Sequence, residues 1–87
     1  MTDDEHARLK AAATILLRGE GWLDADEPPT DGYPVLLVNV DLQATRMTVD
    51  TCIFDVEKGM WIDWRGIPID PAATKRLPTH FKRWGKS

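Results

Sequence analysis

The apolar run VLLVNV at residues 35–40 constrains the fold of this chain more than any other stretch. A strand with one wet face alternates apolar and polar residues, whereas a near-continuous apolar run is typical of a strand covered on both faces. We therefore predict a buried strand over residues 35–40, with an N-terminal helix as the cover on one side.

A rigid corner leads into this strand. Pro28 and Pro29 cannot donate a backbone hydrogen bond and favour an extended chain. The Asp31-Gly32 pair offers the positive φ that a chain reversal requires. Pro34 is tolerated at the first residue of a strand. The segment EPPTDGYP therefore predicts a turn that ends where the strand begins.

Residues 3–18 show the spacing of an amphipathic helix. Apolar residues recur three and four positions apart, at Leu9, Ala12 or Ala13, Ile15 and Leu16. Thr2 and Glu5 fit a capping box at the start, and Gly19 can take the left-handed position that closes a helix. A helix over 3–18 is therefore expected.

Further strands follow the buried one. The segment RMTVDTCIFDV at 46–56 is rich in β-branched and aromatic residues, which favour a strand. EKGMWIDW predicts a tight turn with Gly59 in the left-handed region, followed by a strand at 60–64. Glycine and prolines then interrupt regular structure until THFKRW at 79–84, which predicts a last short strand.

The length of 87 residues leaves room for one domain with one core. We expect an α+β domain over residues 1–87, in which the N-terminal helix packs on a small, mainly antiparallel sheet of three or four strands formed by residues 22–84. Four tryptophans are expected to supply much of the buried apolar area: Trp22, Trp61, Trp64 and Trp84.

Cysteine usage and hydropathy indicate a compartment. Cys52 is the only cysteine, which excludes an internal disulfide and fits a reducing environment. The apolar patch AAATILL is too short to span a bilayer. We expect a cytoplasmic protein without membrane contacts.

Acids and bases are segregated along the chain, although the formal net charge is only −3. Residues 20–31 hold five acids and no lysine or arginine. They lack the alternating oxygens, the glycine and the final glutamate of a calcium loop, so no metal site is expected. No motif indicates a cofactor either.

Residues 75–86 hold five lysines and arginines and no acid. One interpretation is a surface that binds nucleic acid through phosphate contacts and stacked bases. The other is a strand whose Phe81 and Trp84 point inward while Lys82 and Arg83 meet water or the acids of 20–31. The second is favoured, because a dedicated nucleic-acid binder is strongly basic and this chain is acidic overall.

The sequence predicts docking and no catalysis. No local signature supports a catalytic pair of Cys52 with His80, so we expect no enzymatic activity. DWRG places Trp64 and Arg65 at a strand exit, a composition that fits either an interface anchor or an arginine stacked on a tryptophan. The predicted partner contacts are Trp64, Arg65, Lys75, Arg76, Lys82 and Arg83.

Three segments together resemble a family: GWLDADEPPTDGYPVLLV, FDVEKGMWIDWRG and LPTHFKRW. Over about residues 22–84, the chain resembles the small phage and prophage proteins grouped as domain of unknown function 551. The matching positions are Trp22, Pro28, Pro29, Asp31, Gly32, Val35, Leu36, Gly59, Trp61, Thr79 and His80. Phe81 stands where the family has tryptophan, and KRWGKS replaces its proline-rich end.

The resemblance implies a mobile-element protein with no catalytic set to transfer. We therefore expect a non-enzymatic protein-binding protein of phage or prophage type, one form being an inhibitor of a host defence or nucleic-acid-processing complex. The alternative is a nucleic-acid-binding module that uses the C-terminal basic strip. The sequence is compatible with a monomer and with a homodimer that pairs through an open sheet edge.

Overall fold

Strand β2 (Val35–Asp41) lies at the centre of the sheet, as its apolar sequence predicts. The structure is a computed structural model that describes residues 3–43 and 46–83. The other elements are α1 (Asp3–Leu16), β1 (Leu23–Asp24), β3 (Arg46–Asp55), β4 (Met60–Asp63), α2 (Pro71–Thr74) and β5 (Arg76–Arg83). The strands form one antiparallel sheet in the order β1-β5-β2-β3-β4. The α+β class is confirmed, with five strands where three or four were expected.

The additional strand and the longer β5 come from segments with weak sequence signals. β1 pairs with β5 through only two residues, which is too short to show a periodicity. β5 begins at Arg76 rather than at Thr79. It accommodates Pro78 beside a shift of register between Val38 and Asn39 of β2, and such a bulge is a place where a strand tolerates proline.

One face of the sheet, here called the core face, carries the main apolar cluster. Its buried members are Ala25, Val35, Leu37, Cys52, Trp61, Ile69 and Phe81. The Trp61 ring lies between two other rings, with centroids 5.2 Å from Phe54 and 5.7 Å from Phe81. Aromatic pairs of this kind each stabilise by about 0.5–1.5 kcal/mol beyond their buried area. Trp61 therefore ties β4 to the centre of the sheet.

The opposite face, here called the helix face, is only partly covered. α1 packs on β5, and Val38 and Val40 of the neighbouring β2 are buried on this side. Val49 and Ile53 of β3 lie on the same face and are exposed. β2 is therefore buried on both faces, as predicted from its sequence, while the β3 side of the helix face is left open.

Polar contacts hold α1 more than an apolar stripe does. Lys10 Nζ lies 2.6 Å from Asp24 Oδ2 and 2.7 Å from Asp26 Oδ2. Ala13 is buried against the sheet, but Leu16 is 70% exposed. The predicted apolar stripe is therefore wrong at its C-terminal end, because the helix turns its charged flank towards β1.

The ends of α1 differ slightly from the prediction. The helix ends at Leu16, two residues before the predicted Arg18, and Gly19 has the expected left-handed φ of 80°. Thr2, part of the predicted capping box, lies outside the described residues. Within residues 3–43 and 46–83, no helix is both long and apolar enough to cross a membrane.

Aspartates shape most of the turns. Each of the following accepts a hydrogen bond of 2.8–3.2 Å from the backbone N–H two residues later: Asp24, Asp31, Asp41, Asp55, Asp63 and Asp70. In this arrangement the side chain imitates a backbone turn. Asp70 thereby caps α2 with Pro71 at its first position, a short helix that the sequence prediction missed. Gly59 has the predicted left-handed φ, at 66°.

The tryptophans divide between core and surface. Trp61 is buried and Trp22 is partly buried, whereas Trp64 is 74% exposed. Trp84 lies outside the described residues. The expectation that the tryptophans supply buried area is therefore wrong for Trp64, which follows the end of β4 and leaves the sheet.

We predict that Leu37→Ala lowers the free energy of unfolding by about 2–5 kcal/mol, because it empties a fully buried position of the core face. Leu16→Ala is the matched control, since the same truncation at an exposed position changes that free energy by less than about 0.5 kcal/mol. Urea unfolding followed by tryptophan fluorescence measures both changes. Equal losses in the two variants would contradict the central placement of β2.

Candidate protein-binding surface

The turn after β4 presents Trp64 and Arg65 at the surface. Asp63 is buried at the end of β4, and its Oδ1 accepts backbone hydrogen bonds from Arg65 (2.9 Å) and Ile67 (3.0 Å). Its Oδ2 accepts a side-chain hydrogen bond of 2.9 Å from the Arg65 guanidinium. Burial opposes ionisation of Asp63, but these hydrogen bonds outweigh it and lower the pKa of the carboxyl. One ionised carboxylate therefore fixes the turn.

Trp64 stays open to solvent although a cation stacks on it. The guanidinium carbon of Arg65 lies 5.6 Å from the centroid of the Trp64 ring, within the range of a cation–π contact. The arginine therefore stacks on the indole, as one sequence interpretation predicts, and the indole is still largely exposed. The role of the pair as an interface anchor stays a prediction.

Trp64 lines a groove of about 520 Å³, here called the Trp64 groove. Ile53 and Ile62 are cross-strand neighbours within it, and Phe54 and Val56 extend the apolar lining. The sequence did not single out these four residues, because the partial alternation of β3 does not tell which face is buried. The register with β4 reveals their proximity.

The proline corner forms the other side of the Trp64 groove. Thr30, Asp31 and Gly32 line it, with Gly32 at a φ of 73° and Asp31 Oδ1 accepting the Tyr33 N–H at 3.2 Å. The proline corner thus lines the Trp64 groove together with residues of β3, and it also leads the chain into the central strand β2.

Arg83 joins the end of β5 to this groove. Its guanidinium forms an ion pair with Asp31. The hydrogen bond from the Tyr33 amide is the largest cause of a lowered pKa at the Asp31 carboxyl; desolvation opposes it, and the contact with Arg83 lowers the pKa further. This pair brings the acidic segment 20–31 against the basic segment 75–86, as the strand interpretation of the C-terminal residues predicts.

The other predicted contact residues lie apart. Arg76 Nη1 is 3.0 Å from Asp50 Oδ2 on the core face. Lys82 lies on the helix face, with its Nζ 5.6 Å from the Trp22 ring centroid. Lys75 closes α2 in the left-handed conformation, at a φ of 59°. The basic strip is therefore divided among several surfaces, and its use for nucleic-acid binding stays a prediction.

Cys52 and His80 lie on opposite faces of the sheet. Cys52 is fully buried in the core-face cluster, and burial raises the pKa of its thiol to about 12. His80 lies on the helix face against α1. The catalytic pair weighed from the sequence does not form. Among the described residues, no group of three or more His, Cys, Asp or Glu side chains could hold a metal ion.

His80 fastens α1 to the sheet in one tautomer. Its Nε2 lies 2.9 Å from Thr14 Oγ1, and the Thr14 hydroxyl donates to the Lys10 carbonyl at 2.8 Å. Because a hydroxyl has one hydrogen, Nε2–H of His80 must be the donor to Thr14. Nδ1 is buried without a partner among the described residues, and burial lowers the pKa of the imidazole. The ring is therefore neutral in the folded protein near neutral pH.

No family model, curated protein or solved structure matches this chain. The resemblance to domain of unknown function 551 therefore stays a prediction from the three quoted segments. The geometry of the Trp64 groove provides the basis for a functional proposal.

We predict that the free energy of unfolding falls as the pH drops below about 6.5, the ordinary pKa of histidine, because the unfolded chain then binds a proton that buried His80 excludes. The charged groups that act on the ring are Lys10 of α1, Asp24 of β1 and Asp26 in the turn after β1. His80→Gln keeps an N–H donor for Thr14 and does not titrate, so its stability changes less over this range.

Urea unfolding at a series of pH values tests this dependence. The series stays above the range in which Asp24 and Asp26 protonate, since the pKa of both carboxyls lies below the ordinary value. His6→Gln is the control, because His6 bonds to Asp26 at the rim of the same contact and is more exposed than His80. An equal pH slope in the wild type and in His80→Gln would overturn the assignment.

We predict that Cys52 does not react with a disulfide reagent such as dithiobis-nitrobenzoate in the folded protein and reacts fully in urea, because the thiol is buried and rarely ionised. Leu16→Cys supplies a matched exposed thiol on α1, which should react at once. Equal native rates for the two thiols would reopen a catalytic role for Cys52.

Proposed function

We propose that this protein is a non-enzymatic protein-binding module whose contact surface is the Trp64 groove. The observation that carries the proposal is that Trp64 is 74% exposed at the edge of an apolar groove, while Arg65 and Asp63 hold its turn in place. Tryptophan and arginine are the side chains most enriched where binding energy concentrates, and a large exposed apolar patch is typical of an interaction site.

The charge around the groove indicates the chemistry of the partner. Two of the lining carboxylates are paired, Asp31 with Arg83 and Asp63 with Arg65. Asp55 and Glu57 also line the groove and form no ion pair with a described residue. A groove with an apolar lining and an acidic rim is complementary to an apolar side chain flanked by lysine or arginine. We infer a partner segment of that composition.

The proposed setting follows from the resemblance stated above. A phage or prophage protein of this size acts by occupying a surface of a larger protein, and an inhibitor of a host defence or nucleic-acid-processing complex in the bacterial cytoplasm is one concrete form. Support from the structure concerns the surface alone: an anchor residue, a groove and an acidic rim.

A random peptide display library selected on the immobilised wild-type protein tests the proposal. We predict that enriched peptides combine an apolar residue with lysine or arginine, and that Trp64→Ala weakens their binding about 30-fold or more, which corresponds to a lost anchor of about 2 kcal/mol. Leu16→Ala removes an equally exposed apolar side chain from α1 and should leave the affinity unchanged. Unchanged circular dichroism establishes that both variants fold.

Two results would count against the proposal. One is a selection that enriches no peptide, and the other is a set of enriched peptides that Trp64→Ala binds as tightly as the wild type does. Affinity that falls moderately with salt fits the acidic rim, since exposed charge pairs are screened.

A further inference from the structure

The outer edge of β3 is open over half its length. Cys52–Asp55 of β3 pair with β4, whereas residues 46–51 pair on one side only, with β2. Among the described residues, no strand pairs with their other side. The edge of β4 beyond β3 is different, because Pro68 bridges to Ile62 and covers it.

The direction of the backbone groups along this edge follows from the neighbouring strand. Asp63 donates its N–H to the Ile67 carbonyl, and the Trp61 carbonyl accepts from the Ile69 N–H. The backbone N–H and C=O groups of these two β4 residues therefore point away from β3. Their partners in β3 are Cys52 and Phe54, whose backbone N–H and C=O groups therefore point towards β2. Because the direction of the N–H and C=O groups alternates along a strand, those of the odd-numbered residues of β3 point away from β2, towards the outer edge.

At the open edge these residues are Met47, Val49 and Thr51, whose N–H and C=O groups face outward. An unpaired row of this kind recruits another strand unless proline, lysine or a free charge protects it. Residues 46–51 contain no proline and no lysine. Their acid, Asp50, already accepts hydrogen bonds from Asn39 at 2.9 Å and from Arg76 at 3.0 Å. Arg46, at the end of the segment, is therefore its one charge without an ion pair to a described residue, and a partner that places a carboxylate opposite Arg46 removes this protection.

We propose that this edge pairs with the same edge of a second copy of the chain, giving a two-fold symmetric dimer with one continuous sheet. In an antiparallel pair, hydrogen bonds join residues whose N–H and C=O groups both point outward. The odd-numbered residues of the two copies must therefore lie opposite one another across the two-fold axis. With the axis at Thr48, Met47 lies opposite Val49 of the partner subunit. The two such pairs form about four main-chain hydrogen bonds.

Charge selects this register among those that the backbone allows. With the axis at Thr48, Arg46 lies opposite the partner's Asp50, and the symmetry repeats this pair. With the axis at Val49, Asp50 would lie opposite the partner's Thr48 and no opposite charges would meet. With the axis at Asp50, two like charges would face each other, which is destabilising. Arg46 is exposed and forms no ion pair with a described residue, and Asn39 and Arg76 both donate to Asp50 Oδ2, which leaves Asp50 Oδ1 for this contact.

The side chains in the chosen register are also compatible. Thr48 lies opposite its own copy, and threonine pairs are favourable across strands. Met47 and Val49 lie on the helix face, where Val49 is 54% exposed and joins an apolar strip. Opposite charges, matched hydroxyls and apolar pairs thus all coincide in one symmetric arrangement, which identifies a second copy as the occupant of the edge.

Sedimentation equilibrium of the full chain tests the dimer. We expect a concentration-dependent dimer whose dissociation constant rises about tenfold or more in Arg46→Glu, because two attractive pairs become repulsive. Arg8→Glu makes the same charge change on the exposed surface of α1 and should leave the constant unchanged. A monomer at every concentration, or equal effects of the two variants, would overturn the proposal.

Cysteine crosslinking tests the register independently of the charge variants. Thr48→Cys should give a disulfide-linked dimer under mild oxidation, because directly opposed positions in a non-hydrogen-bonded pair have Cα atoms about 4.5 Å apart, within disulfide range. Val49→Cys is the matched control and should crosslink less. Preferential crosslinking through Val49→Cys would overturn the register. Trp64→Ala should leave the dimer intact, so the result of the dimer experiments is independent of the result of the peptide-binding experiment on the Trp64 groove.

Discussion

Burial of β2 on both faces is the constraint on which the rest of this structure depends. Val35 and Leu37 need the aromatic cluster around Trp61 and Phe81 on one side, and Val38 and Val40 need a cover on the other. A short chain cannot form two complete layers around a five-stranded sheet. The chain completes the core face and covers the helix face only over its β5 side, so β3 keeps an apolar strip in contact with solvent.

The cover on the helix face depends on charge and on one imidazole. α1 contributes Ala13 to the buried surface, while Lys10 and Thr14 make its directed contacts to Asp24, Asp26 and His80. Exposed ion pairs stabilise weakly, about 0–1 kcal/mol each. Burial lowers the pKa of His80, so the attachment of α1 weakens with acid and, more slightly, with salt. The apolar cluster of the core face does not depend on these charges, because aromatic and aliphatic contacts hold it.

The sequence predicted the elements whose signals are local and failed where contacts are distant. The apolar run of β2, the glycine of the Gly59 turn and the Asp31-Gly32 corner act within a few residues, and the structure has them where expected. β1 exists only through pairing with β5, and the exposure of Trp64 depends on where β4 ends. The basic strip was predicted as one surface, but alternation along β5 and a bulge separate its members. The Trp64 groove requires the register of β3 with β4, which composition does not encode.

Most of the carboxylates in the described part of the chain stabilise its own fold, and this use supports the proposal of a protein-binding function. Among the described residues, six aspartates accept backbone hydrogen bonds in turns, and five acids pair with arginine or lysine, so their charges stabilise the fold of the chain itself. A general acid or base needs a polar group that faces a substrate at the right pKa. Here Cys52 lies in the core cluster and His80 lies under α1, whereas the aspartates with a lowered pKa are held by lysine, arginine or backbone N–H groups. The features that face solvent are the indole of Trp64, the apolar strip of β3 and the unpaired half of the β3 edge, and the two proposals for binding another polypeptide rest on them.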